Sequence, residues 1–399
     1  MDEDYCAFDL LFRKNVPHIL KNIFFSLDLD SFMASQNVCK TWREIFSSSE
    51  YQRRAQVLLK EKKENEQNLC KYSYDGDNEK VQHLLSAGVD PNCESTNSLS
   101  SWDTGMTPLY ISAWRDHTEV VKLLLNGGAD PSKSNENGNT PLHEAVRWTN
   151  IDMVIALLAA GADPNKADTL TVTPLYLVSN FRDNKGIIRL LLEAGAEPNT
   201  SKWTGETPLH LGARWGFTEN VRALLAAGAE PNRVDGHGVS PLYLAARWGR
   251  HEVAKLLLEA GAKPNVARED GDTALYVATT KGHTDVLKIL LQAGADPDKA
   301  VRCSGIPTPL CMAAHEGMKE AVTLLLDSGA NPNIGGGKEE TPLYNAAKNG
   351  CEDLVRALLD AGAEPEKRNN AGMTPLQAAT NHGHNGVVKL LKSSRCVTL

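Results

Sequence analysis

The amino-acid sequence predicts a mainly α-helical protein built as a solenoid of repeated helix–turn–helix units. A triplet, Thr-Pro-Leu or a close variant, begins nine times at intervals of 33 to 35 residues. A second segment, Gly-Ala-Asp-Pro-Asn or a variant, recurs with the same period, and apolar stripes such as residues 120–125 have helical spacing. Self-similarity at this period is the signature of a repeat architecture. The triplets begin at Thr107, Thr140, Thr173, Thr207, Ser240, Thr273, Thr308, Thr341 and Thr374.

Each segment of the repeat has a structural role that its residue types can fill. Thr or Ser caps a first helix by accepting a hydrogen bond from an orphan N–H group. Proline follows at the first helical position, where its missing N–H costs nothing. Small residues such as Ala245 and Ala246 let neighbouring helices approach closely. The apolar stripe belongs to a second helix, which glycine ends in a left-handed turn before a short polar hairpin.

The repeat closely resembles a known family. The signature T-P-L-H-x-A of the ankyrin repeat is present as residues 140–145, Thr-Pro-Leu-His-Glu-Ala. The resemblance covers residues 68–399 and implies about ten units, each a helix pair with a hairpin, stacked in a curved solenoid. The first unit is degenerate: residues 69–76 are expected to form its inner helix without a Thr-Pro cap, and residues 79–86 its outer helix.

Residues 1–57 contain no repeat unit and are predicted to form a small helical domain. Apolar residues at 19, 20, 23, 24 and 27 fit one face of a short helix, and Ser31 can cap a second one. So short a segment buries too little apolar surface for much stability of its own. We therefore expect it to pack on a partner or on the adjoining domain.

The same segment has a proline before an Ile-Leu pair, Leu-Asp at a helix end, and the run V-C-K-x-W-R. These features resemble the F-box over residues 15–57, with Val16 in place of the commoner leucine. The resemblance implies docking on a Skp-type adaptor and, through it, on a cullin–RING ubiquitin ligase. The alternative is a helical cap that covers the open end of the solenoid. The adaptor-facing residues implied by the resemblance are Pro17, Ile19, Leu20, Ile23, Leu27, Val38, Cys39 and Trp42.

Residues 58–67 connect these two parts. They mix both charge signs without Gly or Pro, which favours a helical connector over a flexible linker. The predicted organisation is therefore an F-box-like domain at 1–57, a charged helical connector at 58–67 and a repeat array at 68–399.

Specificity for a partner must come from positions that the repeat scaffold leaves free. Two such positions lie just before the turn between the helices of each unit, and in ankyrin repeats they face solvent on the concave side. In the second to sixth units they hold aromatic and arginine side chains, which are enriched at binding hot spots. The predicted target-binding residues are Trp114, Arg115, Arg147, Trp148, Phe181, Arg214, Trp215, Arg247 and Trp248, with Trp203 at a hairpin tip as a secondary candidate.

Two interpretations of these side chains stay open. They can form a binding surface, whose arginines favour an acidic or phosphorylated segment in the target. They can also pair between neighbouring units as an internal cation–π ladder. Acidic residues on nearby hairpins are expected to offset part of the positive charge: Asp103, Glu136, Asp168 and Asp235.

Composition excludes several other functions. The chain carries 42 basic and 50 acidic residues, a net charge of −8, which argues against nucleic acid as the main partner. No apolar run approaches the roughly 18 residues of a membrane span, and no residue cluster has the spacing of a catalytic, cofactor or metal site. Eight scattered cysteines without a CxxC pair fit free thiols in a reducing compartment. We expect a protein of the cytoplasm, with the nucleus as the alternative.

The combined patterns predict a non-catalytic substrate receptor of an SCF-type cullin–RING ubiquitin ligase. The F-box-like segment would bind the adaptor complex, and the array would bind the target protein. The alternative is an ankyrin scaffold or inhibitor that has no link to a ligase and whose N-terminal helices only cap the array.

Overall fold

The computed structural model describes residues 49–95, 105–181, 184–299 and 308–394. These residues form twenty helices and no strand, with one isolated antiparallel bridge between Ala267 and Thr273. The predicted mainly α-helical repeat solenoid is confirmed for this part of the chain. The chain divides into two compact units, Met1–Asp130 and Pro131–Leu399.

The first unit contains four described helices: α1 (Ser49–Asp75), α2 (Asn78–Ser86), α3 (Pro108–Trp114) and α4 (Thr118–Asn126). Helix α1 packs on α2 and α3, and α4 packs on α2 and α3. The core lies between them and includes Leu69, Val81, Leu109 and Val121, none of which is accessible to solvent. The expected first repeat is therefore present without a Thr-Pro cap.

Helix α1 is longer than a repeat helix. It has 27 residues and runs from Ser49 through the segment 58–67 into the first repeat without a break. Val57 and Leu59 in its first half are exposed, whereas Leu69 and Cys70 near its end are buried. The expected inner helix of the first repeat is thus the end of a continuous helix about 40 Å long.

The second unit contains eight helix pairs. Within each pair, the first helix is the inner helix and the second is the outer helix. Inner helices pack on the next inner helix, and outer helices pack on the next outer helix. The helices are α5 (Pro141–Arg147), α6 (Ile151–Ala159), α7 (Pro174–Ser179), α8 (Lys185–Glu193), α9 (Pro208–Trp215), α10 (Thr218–Ala226), α11 (Pro241–Arg247), α12 (His251–Glu259), α13 (Ala274–Lys281), α14 (Thr284–Gln292), α15 (Pro309–His315), α16 (Lys319–Asp327), α17 (Pro342–Lys348), α18 (Glu352–Asp360), α19 (Pro375–Asn381) and α20 (Asn385–Ser394).

The inner helices of the second unit begin as their sequence predicts. The Oγ1 of Thr173 accepts a hydrogen bond from the N–H of Tyr176 at 3.2 Å, and proline follows at the first helical position. The same cap recurs at Ser240, where the hydroxyl accepts from the N–H of Tyr243. Both capping residues are buried, so the hydrogen bonds satisfy N–H groups that water cannot reach.

Asparagines of the turns link consecutive repeats. The Nδ2 of Asn165 donates to the carbonyl of Gly195 at 2.8 Å, and its Oδ1 accepts from the N–H of Glu197 at 2.8 Å. Asn199 makes the same pair of bonds to Gly228 and Glu230. A side chain that both donates and accepts therefore fixes each turn to the next one.

Two buried histidines complete caps of inner helices. The Nδ1 of His143 accepts from the N–H of Thr140 at 3.1 Å, so its Nε2 carries the proton and donates to the carbonyl of Val172 at 3.1 Å. His210 repeats this arrangement with Thr207 and Val239. Burial lowers the pKa of both imidazoles below the ordinary value of 6.5. The fold therefore favours the neutral form of both rings.

This geometry predicts that the array loses stability in mild acid. Because the pKa of both histidines is lower in the folded chain, the unfolded chain takes up more protons at them below pH 6.5, so the free energy of unfolding falls as the pH decreases. Each pH unit costs up to about 1.4 kcal/mol for each histidine that stays neutral. We expect His143→Gln/His210→Gln to remove this part of the pH dependence, measured by urea denaturation at about pH 7.5 and about pH 5.5.

Glutamine is the matched replacement because the chain already uses it. Gln377 occupies the same position in the last repeat, where its Oε1 accepts from the N–H of Thr374 at 2.9 Å. The double variant should therefore keep its caps at neutral pH. Equal pH dependence in the variant and the wild type would contradict the assignment of neutral histidines.

Candidate protein-binding surface

The eight predicted adaptor-facing residues lie outside the described residues, and their role stays a prediction. They are Pro17, Ile19, Leu20, Ile23, Leu27, Val38, Cys39 and Trp42. The nine predicted target-binding residues all lie within the described part of the chain.

In the first unit, the predicted residues pack on the end of α1. Trp114 is half-buried, and its ring lies 6.2 Å from the ring of Tyr74, tilted by 49°. The guanidinium of Arg115 lies 4.5 Å from the Tyr74 ring centre and 6.0 Å from that of Trp114. Cation–π contact of this kind stabilises a folded pair. At this position, the internal-packing interpretation describes the geometry.

In the second unit, three tryptophans stand at the ends of inner helices and face solvent. Trp148 is the C-cap residue of α5, Trp215 is the last residue of α9, and Trp248 is the C-cap residue of α11. Their exposed fractions are 51%, 47% and 49%. Phe181, which follows the cap of α7, is half-buried. These inner helices stack in the order α5, α7, α9 and α11, so the aromatic side chains occupy equivalent positions along one face of the second unit.

Trp215 is held by a neighbour. Its indole Nε1 donates to the Oδ1 of Asn180 at 2.8 Å, and Asn180 is the C-cap residue of the preceding inner helix, α7. Among the described residues, the cation–π contacts found around Arg115 do not recur at Trp215 or Trp248. An aromatic ring that is oriented by a hydrogen bond and left half exposed loses little conformational freedom on binding.

Two arginines of the second unit pair with carboxylates that are less exposed than the arginines themselves. The Nε of Arg147 lies 3.6 Å from Oε2 of Glu144, a side chain that is 2% exposed. Arg214 forms an ion pair with Glu206, and the other oxygen of Glu206 accepts from the hydroxyl of Tyr176 at 2.6 Å. Arg247 is exposed. The hydrogen bond to Glu206 orients Arg214, and part of each paired guanidinium remains accessible.

The hairpin carboxylates expected to offset these arginines have other roles. Oδ1 of Asp168 accepts from the N–H of Leu170 and Val172, both at 2.8 Å, and Asp235 does the same in its own hairpin. Glu136 is exposed, and Asp103 lies outside the described residues. The carboxylates that pair directly with arginines are those of Glu144 and Glu206, which the sequence interpretation missed.

The ends of the inner helices are fixed by the next repeat. The Nε of Arg250 donates to the carbonyl of Arg214 at 3.2 Å, and the Nε2 of His283 lies 3.3 Å from the carbonyl of Arg247. Both donors stand at the start of the following outer helix. Carbonyls at a helix end need such partners, and their bonds rigidify the backbone that carries the candidate side chains.

Comparison with known families now identifies the fold. A family model described as "Ankyrin repeats (3 copies)" matches residues 69–168, 167–235, 233–301 and 310–398. The chain belongs to the ankyrin-repeat family. A 75-residue stretch is also 39% identical to the 2-5A-dependent ribonuclease of Mus musculus. That stretch is 18% of this chain and 9% of the ribonuclease.

Membership in the ankyrin-repeat family assigns the array a general role. Ankyrin repeats bind protein partners, and proteins built from them are generally non-catalytic scaffolds. Within the described stretches, no group of three or more His, Cys, Asp or Glu side chains could hold a metal ion. No helix in the same stretches has both the length and the apolarity needed to cross a bilayer.

The hairpin tips of the ankyrin repeats add two exposed apolar residues. Trp203 is 70% exposed, as expected for the secondary candidate, and Leu170 on the preceding hairpin is 55% exposed. Leu170 was not predicted, although its place in a polar hairpin could have drawn attention to it. Both residues extend the apolar surface available to a partner.

Proposed function

We propose that the protein is the substrate-recognition subunit of an SCF-type cullin–RING ubiquitin ligase. In this function, residues 1–57 bind a Skp-type adaptor, and the ankyrin repeats bind the protein to be ubiquitinated. The proposal rests on one observation: an F-box-like run, with Pro17 before Ile19-Leu20 and Val38-Cys39 before Trp42, precedes the array in the same chain.

The described helices are consistent with this function. Helix α1 is uninterrupted from Ser49 to the buried Leu69 of the first repeat. A continuous helix is stiffer than a Gly- or Ser-rich linker. In a receptor, such a helix would restrict the distance between the adaptor-binding segment and the first repeat.

The mechanism is an increase in effective concentration. Tethering the target beside the charged conjugating enzyme converts an encounter between separate molecules into a reaction within one complex. The receptor supplies binding and orientation, and the associated subunits supply the chemistry. No catalytic group of this chain is required.

The deciding experiment is the binding of purified full-length protein to the Skp-type adaptor of its own organism. We expect micromolar or tighter binding, and a loss of at least about tenfold in the variant Pro17→Ala/Leu20→Ala/Trp42→Ala, because buried apolar and aromatic anchors dominate such interfaces. The measurement is isothermal titration calorimetry. Circular dichroism melts of both proteins establish that the array remains folded.

A matched control removes apolar surface elsewhere. Leu170→Ala/Trp203→Ala truncates two exposed side chains on hairpin tips and should leave adaptor affinity unchanged. Failure of the folded wild-type chain to bind the adaptor would reject the ligase function. It would favour the alternative, an ankyrin scaffold or inhibitor with a helical N-terminal cap.

A further inference from the structure

One face of the second unit is basic in an acidic protein. The two positions at the end of each inner helix carry five basic side chains and one acidic one, whereas the whole chain has a net charge of −8. The basic residues are Arg147, Arg214, Arg247, Lys281 and Lys348, and the acidic one is Glu316. All six are exposed or half-buried. Such a concentration of one sign favours an anionic partner.

The internal ion pairs leave this face able to bind. A guanidinium has five N–H donors, and a single carboxylate accepts at most two of them in a bidentate pair. Glu144 and Glu206 are 2% and 13% exposed, while Arg147 and Arg214 above them are 50% and 32% exposed. The remaining donors of each arginine are therefore available to a ligand, and the hydrogen bond to Glu206 fixes the direction of Arg214.

The stacking of the repeats sets a spacing for the ligand. Packed helices lie roughly 8–10 Å apart, and an extended peptide advances about 3.3 Å per residue, so three residues span one repeat. Arg214 and Arg247 are on the adjacent inner helices α9 and α11, and Arg147 is two inner helices before Arg214. Anionic side chains at every third position of a peptide would match these arginines in either chain direction.

We propose that this face of the second unit binds an extended segment of the target whose Asp or Glu side chains recur at every third residue. Apolar side chains between them lie on Trp148, Trp215 and Trp248. The inference rests on the proposed function and names its target class. Carboxylates are favoured over phosphates because Glu144 and Glu206 already offset part of the charge at two arginines. A singly charged group suits such sites better than a doubly charged one.

The test uses the full-length chain and fluorescein-labelled synthetic peptides of about fifteen residues, long enough to span four repeats. One peptide has Glu at every third position with Leu and Ser between. A second has the same composition with its Glu residues in one block. We expect the spaced peptide to bind about tenfold more tightly by fluorescence anisotropy, because only it can engage three arginines at once. Its affinity should fall as salt is added.

Two charge-matched variants locate the site. Arg147→Gln/Arg214→Gln/Arg247→Gln removes the proposed contacts and should lose about tenfold in affinity for the spaced peptide. Arg189→Gln/Arg222→Gln/Lys255→Gln removes the same charge from exposed positions on outer helices α8, α10 and α12 and should bind like the wild type. Thermal melts of both variants report whether the array is intact.

Three results would overturn the inference. Equal affinity for the two peptides, or no binding of either, would reject the spacing. Equal losses of peptide affinity in the two variants would show that the peptide binds through non-specific charge attraction. Tighter binding of a peptide with phosphoserine at every third position than of its Glu counterpart would reject carboxylates as the favoured ligand. Adaptor binding is measured on the same preparation, so its retention would show that the ligase function stands although the peptide inference has failed.

Discussion

Leu224→Ala is expected to lower the free energy of unfolding of the repeat array by about 2–5 kcal/mol. Leu224 lies in α10, is inaccessible to solvent, and belongs to an outer helix that packs on α8 and on α12. Truncation removes buried methyl groups and leaves a cavity that close-packed neighbours fill only in part. Urea denaturation followed by circular dichroism measures the loss.

The position of the cavity along the array should decide how the loss appears. In a repeat protein, each unit contacts only its neighbours, so stability is a sum of unit and interface contributions. Leu391→Ala makes the same change in the last outer helix, α20, where the side chain is 1% exposed. Since α20 packs on one outer helix among those described, α18, the truncation should mainly promote fraying of this helix pair.

The two leucine variants can be distinguished by their transitions. Leu224→Ala should lower the midpoint of the main transition and broaden it, because a weak interface in the middle uncouples the repeats on either side. Leu391→Ala should leave the main midpoint nearly unchanged. Identical transitions in the two variants would contradict an array stabilised by nearest-neighbour contacts.

The sequence predicts the features that lie within one repeat. Thr173 caps α7 through its own hydroxyl, and the glycine of the turn at 195 has a φ of +91°, a conformation that L side chains rarely adopt. Both depend on residues a few positions apart, so local patterns suffice to predict them. The same argument covers the helix pairs and their apolar stripes.

Contacts between repeats are less predictable. Glu206 joins Arg214, eight residues away, to Tyr176, thirty residues before it. Asn180 and Trp215 are 35 residues apart and belong to different inner helices. These pairs depend on how closely two repeats stack and on which rotamer each side chain adopts. Local patterns in the sequence predict neither. A recurring tyrosine followed about thirty residues later by an acidic residue, as in Tyr243 and Asp272 at 3.1 Å, is the pattern that could have revealed them.

For the candidate site, the sequence predicted where the side chains lie but not which residues contact them. The positions of Trp148, Trp215 and Trp248 at the ends of inner helices follow from the repeat register, and their exposure agrees with a binding surface. The ion pairs of Arg147 with Glu144 and of Arg214 with Glu206 did not follow from the repeat register. The adaptor-facing residues lie outside the described part of the chain and stay a prediction.

Simultaneous replacement of Trp148, Trp215 and Trp248 by alanine is expected to abolish target binding with little loss of stability. Each indole is about half exposed, so each truncation should cost about 1 kcal/mol or less. Tyr276→Ala is the contrasting control, because Tyr276 is 5% exposed and truncation of a buried aromatic costs about 3–5 kcal/mol. Urea denaturation of the two variants therefore measures whether the tryptophans are structural.

Peptide binding, in contrast to stability, should be strongly weakened by the three tryptophan replacements. Aromatic residues at the centre of an interface cost about 2 kcal/mol or more when truncated, and each such loss is about thirtyfold in affinity. The triple tryptophan variant should thus bind the spaced glutamate peptide at least a hundredfold more weakly than the wild type, with adaptor binding retained. A folded variant with unchanged peptide affinity would remove the tryptophans from the binding surface, and a stability loss as large as that of Tyr276→Ala would give them a structural role instead.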